Sequence, residues 1–167
     1  MESSHRRRRT AMLGEMVFVL TAIILLKEWV FPWLIWQWFP IGDDAARMLE
    51  WMVMMVAVVT CYAYAGFGSI SAHVYGQSTS NSMVMWGLLH LPVLVSLTPL
   101  NVPLLNEVTH TWYGLIGDGL RLFIPKLPPE SGIIPLIALL FFWAGRAIKV
   151  SEGNVEKQQQ RQGRAAS

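Results

Sequence analysis

His90 is the residue whose type and setting first raise a chemical question. It stands in Gly87-Leu88-Leu89-His90-Leu91-Pro92, inside a stretch from Trp51 to Asn106 that holds no Asp, Glu, Lys or Arg. An imidazole in so apolar a setting is able to ligate a metal or haem iron, or to relay a proton. The structural alternative is a neutral ring hydrogen-bonded to a neighbouring helix. Pro92 favours that alternative, because it frees the carbonyl around Leu88 for a nearby donor.

A second constellation is Glu107, His110, Asp118 and Arg121. At 100° per residue these four, with Gly114, fall within about one quarter of a helical wheel. Val108, Trp112, Leu115, Ile116, Leu122 and Phe123 fall opposite. The segment therefore reads as an amphipathic helix closed by Pro125. Its polar stripe is a solvated surface if the helix lies flat, and a polar lining if the stripe turns into a bundle. Glu15, about one turn inside the first apolar segment, completes the set. It either marks the inner interface or pairs with a donor on another helix.

Several chemistries are excluded by what the chain lacks. It has one Cys, Cys61, so neither an intramolecular disulfide nor a cysteine-based zinc site is available. No Gly-rich phosphate loop, Ser-His-Asp set, nucleophile elbow or HExxH appears. A bis-histidine haem is disfavoured, since neither His73 nor His110 falls level with His90. Gly87-Leu88-Leu89-His90 is similar to one motif of the CAAX-type intramembrane metalloproteases. Those enzymes also carry Glu-Glu-x-x-x-Arg, and no Glu-Glu pair occurs here, so the chain is not assigned to them.

The elements that must position these residues follow from composition. The chain has 167 residues, 53% hydrophobic and 14% charged, against roughly 25% charged in soluble domains. The charge-free stretch is about two and a half times the roughly 20 residues one helix needs to cross a bilayer. It must hold two spans, joined by the polar run Gly76-Gln77-Ser78-Thr79-Ser80-Asn81-Ser82. Arg6, Arg7, Arg8 and Arg9 precede the first apolar segment, and no small-x-small cleavage site follows it, so it reads as an uncleaved signal anchor. Trp29, Trp33, Trp36, Trp38 and Trp51 mark one membrane face as an aromatic belt. Lys27 and Glu28 are adjacent, diverge by about 100° on a helix and mark the outer boundary. Asp44 is a candidate N-cap for the second helix. Ala57, Cys61, Ala65 and Ser69 recur every four residues and make a small-residue packing stripe. Arg146 and Lys149 lengthen the last, short span by snorkelling.

The fold expected is an all-α membrane protein. It is a bundle of about four transmembrane helices, near 11–30, 49–71, 82–100 and 132–149, plus one amphipathic, interfacial helix over 104–124. Residues 1–10 form a basic cytoplasmic N-terminus, 11–150 the multi-pass transmembrane domain and 151–167 a disordered cytoplasmic tail. Both ends are basic, and basic flanks stay cytoplasmic, which requires an even number of crossings. The loop 76–82, placed inside, has no Lys or Arg of its own.

The function expected is that of a non-enzymatic accessory or assembly component of a plasma-membrane complex. Its partners are the lipid bilayer and another membrane protein or a second copy, with no nucleic acid, no metal and no cofactor. Two alternatives stand beside it. One is a small transporter or channel with Glu15, His90 and the Glu107–Arg121 stripe along a path; the other is a membrane enzyme using His90 or His110.

Overall fold

The computed structural model describes residues 2–39, 42–96, 103–128 and 131–148, and the tail 151–167 lies outside them. Among the described residues every regular element is helical. Helix α1 (Glu2–Leu25) passes through one π-helical turn (Leu26–Val30) into α2 (Phe31–Trp38). Then follow α3 (Asp43–His73), α4 (Thr79–Leu89), α5 (Leu91–Ser96), α6 (Pro103–Phe123) and α7 (Ile133–Ala147). Two stretches, Thr10–Trp38 of 29 residues and Asp43–His73 of 31, are long and apolar enough to cross a bilayer. Helix α7 is a shorter apolar helix of 15 residues.

Local chemistry explains several boundaries. The π turn sits immediately before Pro32, where Phe31 N–H bonds to Leu26 O, five residues back. Proline has no N–H to continue the ladder, and a π turn accommodates such an irregularity. Helix α3 starts from Gly42 at φ +119°, a conformation open to glycine. Asp43 and Asp44 occupy its first turn, where carboxylates oppose the positive end of the helix dipole. The N-cap is thus Gly42 and not Asp44. Ser78 caps α4 through its hydroxyl, which accepts from Asn81 N–H at 3.3 Å.

The continuous helix expected over 82–100 is interrupted. Helix α4 ends at Leu89, His90 takes a non-helical turn (φ −93°, ψ 11°), and α5 resumes at Leu91. Pro92 is the cause, since it cannot donate and crowds the preceding turn. The 11 residues of α4 extend only about 16 Å.

Helix α3 is the axis of the molecule, flanked by α7 along one side and α6 along another. The small-residue stripe is what lets them approach. A Cβ at Gly145 would fall on the carbonyl of Ala65, and one at Gly68 on the carbonyl of Phe142. Ala57 meets Gly119 of α6, and Ser69 Oγ donates to Ile148 O at 2.9 Å. The core enclosed between α1, α3, α4 and α6 contains Met16, Leu20, Val56, Tyr64, Met85, Leu89, Tyr113 and Ile116.

Candidate functional site

Three polar assemblies contain His90, Asp118 with Arg121, and Glu15, and each joins segments distant in sequence. The first surrounds His90 at the α4–α5 break, 2% exposed. Its Nδ1 lies 2.9 Å from Trp86 O and its Nε2 3.0 Å from Tyr64 Oη on α3. A carbonyl only accepts, so Nδ1 carries the hydrogen and the Nε2 lone pair accepts the Tyr64 hydroxyl proton. Both ring nitrogens are thus committed to neighbours. The ring stacks on Trp86 at 4.1 Å between centroids and meets Trp112 edge-on at 6.3 Å. The adjoining cavity, bounded by Tyr64, Trp112, Tyr113 and Ile134, has a volume of about 10 Å³, room for about one water. A metal would have to displace Tyr64 or Trp86 from His90 to reach a lone pair. Among the described residues no group of three His, Cys, Asp or Glu is placed to hold a metal ion.

The second assembly links the π turn to α6. Lys27, 7% exposed, donates from Nζ to Asp118 Oδ2 at 2.7 Å and to Glu28 Oε1 at 2.8 Å. Arg121 Nη1 reaches Asp118 Oδ1 at 3.4 Å. Two cations thus face two anions, as burial demands of charged groups. Gly114 makes this possible: a Cβ there would stand 3.0 Å from Lys27 Nζ and 2.8 Å from Asp118 Oδ2. Lys27 and Glu28 do diverge at the backbone, but the four-carbon stem of lysine spans the difference. Glu107 and His110 of α6 are exposed, whereas the Asp118 carboxylate points to Lys27. The four residues of the stripe therefore do not act as one site.

The third assembly lies midway along α1. Tyr75, just beyond α3, donates its hydroxyl to Glu15 Oε1 at 2.8 Å. The Glu15 carboxylate holds that proton and raises the Tyr75 hydroxyl above the ordinary phenol range, with a smaller contribution from burial. Nearby, Arg146 of α7 folds over the α3–α4 turn. Its guanidinium donates to Ser71 Oγ at 2.9 Å, Gln77 O at 3.1 Å and Thr79 Oγ1 at 3.5 Å, and also to Ser82 Oγ.

Sequence reasoning found His90, Glu15 and Asp118 and missed the partners that define them: Tyr64, Trp86, Lys27 and Tyr75. An apolar segment carrying Lys27 needs an opposing charge, and that requirement was the available signal. Comparison of the chain with protein-family models, curated proteins and solved structures gives no match.

Proposed function

We propose that this chain is a multi-pass integral membrane protein that serves as a non-enzymatic assembly component of a membrane complex. The observation that carries the reading is an inverted distribution of polarity. Trp29, Trp33, Trp38, Trp51, Tyr62, Phe123 and Leu140 are all more than 60% exposed, while Lys27, Thr60, Ser71, Ser82 and His90 are buried and hydrogen-bonded. Water disfavours that arrangement, whereas a hydrocarbon solvent favours it, since every internal polar group must then be satisfied within the protein. The exposed tryptophans of α2 suit the headgroup level. Arg146 supplies the loop 76–82 with a cation it lacks in sequence, which supports an inner placement of that loop together with both chain ends.

The assembly role follows from how little chemistry is left over. His90 is spent on its neighbours and the Lys27–Asp118 cluster balances its own charge, while exposed Trp29, Trp33, Trp38, Tyr62 and Leu140 offer a partner a large apolar surface. Membrane fractionation tests the reading in two steps. Alkaline carbonate should leave the chain in the pellet, and extraction in mild detergent should co-isolate a stoichiometric membrane partner or a second copy. Release by carbonate overturns the membrane reading, and a lone monodisperse monomer overturns the assembly role.

A further inference from the structure

Met12, Glu15, Met16 and Val19 recur at three- and four-residue spacing on α1 and so share one face. Opposite them on α3 stand Phe67 and Ile70, and the six residues line a cavity of about 240 Å³. Met12, Met16 and Phe67 are buried and form its floor. Glu15 stands at the edge, one oxygen holding the Tyr75 hydroxyl, with no Lys or Arg paired to it among the described residues.

This combination selects by charge and by hydration. A carboxylate on apolar walls, with no Lys or Arg paired to it among the described residues, discriminates against neutral apolar molecules that carry no charge to match. A hard metal cation needs several oxygen ligands to replace its water, and among the described lining residues Glu15 alone supplies side-chain oxygens. A weakly hydrated organic cation meets neither objection. Its charge faces Glu15, and its carbon substituents meet the polarisable thioethers of Met12 and Met16 and the Phe67 ring. The cavity is smaller than the roughly 300–1,000 Å³ of drug-sized sites, which sets the scale of the ligand. We propose that the α1–α3 cavity binds a small organic ammonium, with Glu15 as its counter-ion. The proposal does not rest on the assembly role; it requires only that α1 pack on α3.

Equilibrium dialysis of radiolabelled tetraethylammonium against the full chain, in an uncharged lipid-free detergent, tests this. One saturable equivalent is expected, weakened about tenfold or more in Glu15→Gln, where an ion contact is lost. Ile70→Trp, which fills the cavity without altering charge, should weaken it as well, and Glu15→Asp should retain part of the affinity. Sodium in large excess at constant ionic strength should not displace the probe. Uptake that does not saturate, unchanged affinity in Glu15→Gln, or displacement by sodium overturns the proposal. A second arm separates two sources of the same chemistry. Competition by phosphatidylethanolamine but not phosphatidylglycerol assigns the site to a lipid headgroup, and no competition by either assigns it to a soluble amine.

Discussion

Lys27 is the charge whose removal should be felt most. It is almost fully buried and holds two carboxylates, while Asp118 is held in turn by Arg121. Removing one member of a buried pair costs about 3–5 kcal/mol, because the other charge is left without compensation. Asp118 retains 29% of its side-chain exposure, so water offsets part of that loss. Lys27→Met is therefore expected to destabilise the protein by about 2 kcal/mol in reversible unfolding from detergent. The double variant Lys27→Met/Asp118→Leu should recover most of it, since both charges then leave together. Additive losses in that cycle would mean that the two side chains do not stabilise each other. Tyr64→Phe is expected to cost about 1–2 kcal/mol, by leaving His90 Nε2 buried without its donor. His90 was legible as a residue needing explanation, but its partner lies 26 positions away, and Lys27 and Asp118 lie 91 apart. No local pattern encodes pairings of that range.

At the scale of elements, α3 carries the architecture because its side chains are small where α6 and α7 cross it. Gly145 and Gly68 bring the α3 and α7 backbones into direct contact, so an added methyl has no space to enter. Gly145→Ala should cost about 1–3 kcal/mol, the range of overpacked interiors. Gly14→Ala is the control: nothing lies within 4 Å of its Cβ, and replacing a helical glycine should be neutral or stabilising by roughly 0.5–1 kcal/mol. Equal effects from the two substitutions in thermal unfolding would show that close approach is not what Gly145 provides. The stripe Ala57–Ser69 and the helical character of α6 (Pro103–Phe123) are legible in the sequence. Both rest on a helical repeat, which sequence displays directly. The break at His90 was not read, although Pro92 was in view, because an apolar run conceals whether a helix bends or ends there. The π turn left no signal beyond Pro32.

On the membrane reading proposed above, the exposed Trp29, Trp33, Trp38 and Trp51 and the buried Lys27 set what topology measurements should find. With Cys61 replaced by serine, single cysteines at Ser80 and Ser167 are expected to react with a membrane-impermeant maleimide in inverted vesicles but not in intact cells. On the proposed topology a cysteine at His110 should react in intact cells, since that side chain is exposed. Opposite behaviour of Ser80 and Ser167 would break the even count of crossings. Arg146 adds a temporal dimension to this arrangement. The α3–α4 turn is fastened at Gln77 by a guanidinium 69 positions later in the chain. During synthesis the hairpin must emerge from the ribosome unlatched and wait for the final helix to arrive. A nascent chain stalled short of that arginine would carry its middle turn open, so the arrival of α7 becomes the event that fastens it.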